Sequence, residues 1–236
     1  MPVEHALLKS IPLFTGLSDQ DIAALAQEGQ LRQFEVGRTI AAHNSQLSYL
    51  VVVVTGLIQA SIVNAEGQVI SLQLLGGGES IGWLSIIDGQ VLSKNYTAAK
   101  TSTLLLLPIA VARNLLMNRP AITQKILKML AHTARQSDKE RVIQNLPNAF
   151  QRIYAHMAHL AQSKQHLHEP PALPKQHEIA VIANTSRETV SRALQALINQ
   201  GIVIKQGHKI IITQIEQLQK FSEQDPSNSN SNSKDD

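Results

Sequence analysis

Apolar residues change rhythm along this chain. Between residues 30 and 107 they gather in short runs rich in Val, Ile and Leu, at 50–54, 57–63, 69–75 and 102–107. Gly37, Gly56, Gly67, Gly76, Gly77, Gly78, Gly82 and Gly89 fall mostly between those runs. Short β-rich runs punctuated by residues that accept positive φ predict an antiparallel roll or barrel, with Ala65-Glu66-Gly67 as the clearest hairpin tip. Upstream, Ser18 is placed to cap a helix reaching about residue 30, with Asp19 and Asp21 in its first turn, where carboxylates suit the positive end.

From Pro120 the period becomes helical and stays so to about Gln144. Ile122, Ile126, Met129 and Thr133 fall on one side of that helix. Such a stripe either packs on its own roll or forms a dimer seam, and its length after a β domain favours the seam. Leu146-Pro147 is a hinge, because a residue before proline avoids the α region. A helix over 147–164, a connector over 165–174 with Pro170, Pro171 and Pro174, two short helices, a hairpin over 202–213 and a polar tail follow. The fold class is therefore α+β: an antiparallel β-roll sensor domain over 1–119, a dimerisation helix and hinge over 120–145, a winged helix-turn-helix domain over 146–222 and a disordered tail over 223–236.

Net charge is only +3, but it is unevenly spread. Residues 146–222 carry 8 Lys or Arg against 4 Asp or Glu, and the tail reverses that balance with 1 against 4. A local basic excess suits a phosphate-binding surface. With no cysteine, a disulfide framework, a thiolate nucleophile and an iron–sulfur cluster are excluded. The first ten residues show no targeting segment and no run reaches membrane-spanning length, so a cytoplasmic protein without a membrane role is expected.

The chemistry concentrates in residues 175–197. Two amphipathic helices meet at Ala183, Asn184 and Thr185, and Asn184 is a residue that tolerates the left-handed turn such a junction requires. In the second helix a buried stripe of Val190, Leu194 and Leu197 turns Arg187, Glu188, Ser191, Arg192 and Gln195 outward. Arginine can bond guanine O6 and N7 together, a carboxylate can accept from cytosine N4, and serine can meet a phosphate or a base edge. The same residues also fit a capping box from Thr185 to Glu188 and an i,i+4 pair from Glu188 to Arg192, which any surface helix can have.

The run Thr185-Ser186-Arg187-Glu188-Thr189-Val190-Ser191-Arg192-Ala193-Leu194 resembles the recognition helix of the CRP/FNR family of transcription regulators. Ile11-Pro12-Leu13-Phe14-Thr15-Gly16-Leu17-Ser18 resembles the same family's N-terminal motif, and the likeness runs over about residues 8–215. It implies a homodimer on double-stranded DNA, a TGTGA-like inverted repeat, and base reading by Arg187, Glu188 and Arg192 beside Thr185, Ser186 and Ser191. It also implies a wing at 202–212 whose Lys205 and Lys209, near Gly207 and His208, touch phosphate, and RNA polymerase as a partner.

The sensor site departs from the family's nucleotide-binding members, so the motif is degenerate. Aligning Ile81-Gly82 puts Trp83, followed by Leu84, where a ribose-binding glutamate stands, and Ser93-Lys94 where an Arg-Ser pair holds the cyclic phosphate. Lys139-Glu140 take the place of base-contacting hydroxyls. Lys94 offers a point charge without a bidentate fork. Cyclic AMP is therefore disfavoured. The effector is unidentified, a small molecule or a histidine-held heme remaining open, and Trp83 has two roles open to it, stacking on a planar effector or filling an empty pocket. His156, His159, His166 and His168 read as surface histidines rather than a metal site, because their spacing matches no known site. The sequence thus predicts a DNA-binding regulator. The alternative is a cyclic-nucleotide or other ligand-binding module whose helix-turn-helix serves protein contacts. No phosphate loop, nucleophile elbow or metalloprotease helix supports an enzyme.

Overall fold

A computed structural model describes residues 3–64, 67, 69–163, 175–206 and 209–223. Ala65 and Glu66 of the expected hairpin tip, His166, His168, the connector prolines, Gly207, His208 and the tail from 224 lie outside the described residues. The chain forms two compact units, Met1–His132 and Thr133–Asp236, divided inside one long helix.

The first unit begins with α1 (His5–Ser10), a 3-10 turn (Pro12–Phe14) and α2 (Asp19–Glu28). Ser18 caps α2 as expected, its hydroxyl oxygen accepting from the Asp21 N–H at 3.1 Å. The strands are β1 (Gln30–Phe34), β2 (Thr39–Ala41), β3 (Tyr49–Val63), β4 (Val69–Leu75), β5 (Ser80–Ile81) and β6 (Asn95–Pro108), with α3 (Trp83–Asp88) before β6. All pairings are antiparallel. The long strands β3 and β6 form a ribbon, flanked by β1 and β5 at one end and by β2 and β4 at the other.

Alternation along the ribbon explains its unbroken apolar runs. Leu50, Val52, Leu105 and Leu107 join a cluster with residues of the helices, including Leu8, Phe14, Ile22 and Leu25. Val51, Val53, Leu104 and Leu106 join Ile58, Leu75, Ile81 and Ala98 on the other face. A strand covered on both faces has no polar alternate.

Residues 50–54 and 57–63 prove to be one strand rather than two. Gly56 is not a turn between strands but a bend within β3, with φ of +99° and a virtual Cβ only 2.2 Å from Ser102 Oγ. The β3–β6 register shifts between Val53 and Ile58, and Ser102 secures the irregularity by accepting from the Leu57 N–H at 3.0 Å and donating to the Lys100 carbonyl at 2.6 Å.

α4 (Ile109–Asn118) leads into α5 (Pro120–Gln144). Ile122 and Ile126, 0% and 2% exposed, lie in the helical-layer core of their own unit. They are therefore not the dimer seam expected of them, because the apolar helical-layer cluster of their own protomer covers them. Met129 and Thr133 remain exposed. Polar contacts also fix the start of α5 and Arg119, the residue before it. Lys125 Nζ donates to the carbonyls of Pro12, Leu13 and Thr15, Thr123 Oγ1 to the Leu116 carbonyl at 2.6 Å, and Arg119 pairs with Asp21 at 2.6 Å.

The second unit contains the last turns of α5, then α6 (Ala149–Ser163), α7 (Gln176–Ile182), α8 (Arg187–Asn199), β7 (Val203–Gln206), β8 (Lys209–Ile212) and α9 (Ile215–Glu223). Ile153, Met157, Ile179, Val190, Leu194, Leu197, Ile202 and Leu218 make its core. Tyr154 meets Phe150 and Phe221 edge-on, at ring-centroid distances of 6.0 and 6.2 Å.

Candidate nucleic-acid interface

The turn between α7 and α8 is built as its residue types require. Asn184 takes φ of +46°, and the Asn184 and Thr185 N–H groups donate to the carbonyls of Val181 and Ala180 at 3.1 and 2.9 Å. The cap of α8 falls one residue later than the sequence suggests. Ser186, not Thr185, has the capping role, its hydroxyl oxygen accepting from the Thr189 N–H at 3.2 Å. The expected Thr185–Glu188 capping box therefore does not form. Cap position depends on which residue leaves the helical backbone last, and two adjacent hydroxyl residues leave that choice to the tertiary turn.

α8 divides cleanly into two faces. Val190, Ala193, Leu194 and Leu197 are buried, while Ser186, Arg187, Glu188, Ser191, Arg192 and Gln195 are exposed and Thr185 is half-buried. Glu188 is held below the usual carboxylate range first by its own backbone N–H, next by the Ser186 hydroxyl, and more weakly by Arg187 and Arg192. It is thus an acceptor at neutral pH, which suits a base amino group. Arg192 donates to Thr189 Oγ1 at 3.3 Å, and among the described residues no ion pair joins it to Glu188. Gln195 donates to Asn199 Oδ1 at 2.9 Å.

Beyond α8, Gly201 adopts φ of +70° and the Ile202 N–H returns to the Leu197 carbonyl at 3.0 Å, which closes the helix and starts the wing. Val203 pairs with Ile212 and Gln206 with Lys209. Lys205 is exposed. Lys209 opens β8, and its side chain lies outside the described residues.

One residue of this unit escapes a sequence reading. Arg152 on α6 donates from Nε to the Ala183 carbonyl at 2.9 Å and from Nη2 to that of Asn184 at 3.2 Å. Its Nη1 reaches the carbonyls of Leu146 and Pro147 at 2.8 and 3.2 Å. The available signal was that Arg152 is the only Lys, Arg, Asp or Glu between Ala149 and Ser163.

The sensor positions are arranged differently. Gly82 precedes α3 with φ of +111°. Trp83, 2% exposed, points into the helical-layer core and donates from Nε1 to Ser80 Oγ at 2.9 Å. Its ring faces are covered by protein, so it fills space here and offers no face to a planar effector. Leu84, the next residue, is 58% exposed. Ser93 is exposed and Lys94 half-buried ahead of β6.

Among the expected surface histidines, His156 is a correction. It is 4% exposed, because α6 turns that position inward, and its Nε2 has no hydrogen-bond partner. Burial, reinforced by His159 and Arg152, pushes its pKa down to about 4. His159 lies 3.7 Å from Glu140. No group of three metal-ligating side chains occurs among the described residues, and no described helix is long and apolar enough to cross a membrane.

Residues 31–119 match a family model described as a cyclic nucleotide-binding domain, and residues 151–221 one described as a Crp-like helix-turn-helix domain. The chain is 30% identical over 197 residues to the cyclic AMP receptor protein of Thermus thermophilus, across 83% of this chain and 89% of that protein. It is 25% identical over 220 residues to the CRP-like cAMP-activated global transcriptional regulator of Mycobacterium tuberculosis, across 90% and 96%. The crystal structure of the Thermus thermophilus catabolite activator protein superposes with a TM-score of 0.51 at 26% identity, covering 89% of this chain and 98% of that one.

Proposed function

Since the chain belongs to the CRP/FNR family of transcription regulators, we propose that it binds a palindromic, TGTGA-like DNA site as a homodimer. Members of this family are non-enzymatic DNA-binding regulators that act as dimers. The observation that carries the proposal is the exposed row of Arg187, Glu188, Ser191 and Arg192 above the buried stripe of α8. In the proposed complex Arg187 meets guanine, Glu188 accepts from cytosine, Arg192 takes a further base or a phosphate, and Lys205 and Lys209 follow the backbone. The dimer contact moves off Ile122 and Ile126 to the exposed positions Leu127, Ala131 and Ala134, which share a face at helical spacing. RNA polymerase is the partner through which the bound dimer acts on transcription.

The two curated relatives are named for cyclic AMP. Here Trp83 replaces a ribose acceptor and is turned into the core, and Ser93-Lys94 replace the Arg-Ser pair, leaving a lysine point charge in place of a guanidinium fork. Those differences support an input other than cyclic AMP, or none, because each lost charge-assisted bond removes on the order of 1.5–3 kcal/mol. Titration of the full chain with a TGTGA palindrome and with a scrambled duplex, at one fixed salt concentration, tests the output. Equal affinities would overturn it. Repeating the titration with cyclic AMP, cyclic GMP, cyclic di-GMP and heme tests the input, and tighter binding with cyclic AMP would overturn that half of the proposal.

A further inference from the structure

The guanidinium of Arg152 engages four of its five N–H donors, all on main-chain carbonyls. Two of them, Leu146 and Pro147, lie just past the end of α5, and the other two, Ala183 and Asn184, just past the end of α7. The Ala183 carbonyl lies at the C-cap of α7, where carbonyls lack a partner along the helix and carry partial negative charge, so one cation ties a helix end to the link between α5 and α6. The planar fork fixes direction as well as distance, which a lysine cannot do. Asn184 is also the left-handed residue of the turn, and α8 starts three residues later with Arg187.

From this geometry we propose that Arg152 is a positioning residue that clamps the turn before the reading helix to the connector leaving α5, so that displacing the connector displaces the DNA-reading face. The proposal rests on α8 reading DNA. Any change passed down α5 enters the connector at Asn145 and Leu146, and the Arg152 fork, carried on α6, joins that connector to Asn184 without passing along α7. The coupling is reciprocal: holding α8 on its site must also hold the connector.

Two measurements on the full chain test the clamp. In Arg152→Lys the charge is kept and the fork is lost. Affinity for the TGTGA palindrome should fall about tenfold, while affinity for a scrambled duplex, which depends on phosphate contacts, stays within about twofold. An unchanged preference, or an equal fall on both duplexes, overturns the proposal. If the unsubstituted chain shows no preference for the palindrome, the DNA proposal fails and the clamp is judged by the second measurement alone. There, Pro147→Gly loosens the connector, and amide exchange is read at Asn184 and Thr185, whose N–H groups bond Val181 and Ala180. Exchange at those two amides should quicken several-fold with Arg152 present and show no such rise in the Arg152→Lys background. No response at the turn, or the same response in both backgrounds, overturns the clamp. The arm with Arg152 intact decides even if the lysine variant does not fold.

Discussion

In the first unit Trp83, which the sequence comparison expects where a ribose-binding glutamate would stand, is turned into the helical layer. In the second, Arg187, Glu188 and Arg192 stand in solvent over a buried stripe. One side has used its chemically expressive position for cohesion and the other has kept its own for contact. The difference is physical: a buried indole needs only a cavity and one hydroxyl for its N–H, whereas a face proposed to read DNA must keep its donors and acceptors turned to solvent.

The largest effect expected from breaking this contrast lies in the first unit. Trp83→Ala should destabilise it by about 3–5 kcal/mol, read by thermal or denaturant unfolding. An unchanged midpoint would mean that the indole is not a core residue. Next is an acid sensitivity peculiar to the second unit. Folded His156 stays neutral down to about pH 4, whereas its ordinary pKa is 6.5. The unfolded chain therefore binds the extra proton between those values, and stability should fall as pH drops through that window by up to about 3 kcal/mol, with no contribution from this group above it. His156→Leu should flatten that slope, and a slope that survives would assign it elsewhere. In the first unit, the Arg119 hydrogen bond holds Asp21 below its ordinary 3.8, so the stability from that pair is present above pH 3.8 and is lost only in stronger acid. Arg187→Ala should cost about 1–3 kcal/mol per half-site on the palindrome and little on scrambled DNA. Equal losses on both would make Arg187 a phosphate contact. The smallest change is expected from Lys205→Ala, which should leave the preference intact and lower the salt dependence by about one counterion per wing; an altered base preference would contradict that role.

The same contrast explains what the sequence could disclose. The helix-turn-helix was legible because its determinants are local: the stripe Val190, Leu194 and Leu197, the left-handed Asn184 and the following hydroxyls all lie within fourteen residues. Ile122 and Ile126 were legible as an apolar stripe, but periodicity shows that a face will be covered without showing by what. Gly56 permits positive φ in a turn and in a bulge alike, and only Ser102, 46 positions away, decides between them. Arg152 was hidden for a related reason. Its partners are backbone carbonyls, which have no identity in a sequence.

The bend at Gly56 also decides where this chain can be opened for engineering. A glycine amid polar and apolar alternation invites a tag or a circular permutation at residues 55–57, but β3 runs unbroken from Tyr49 to Val63 and an insertion there would split the ribbon. Gly89, left-handed at the end of α3 with open space around its α-carbon, is the better site for a reporter, because new residues there lengthen a surface turn and leave the hydrogen-bonded ladder whole.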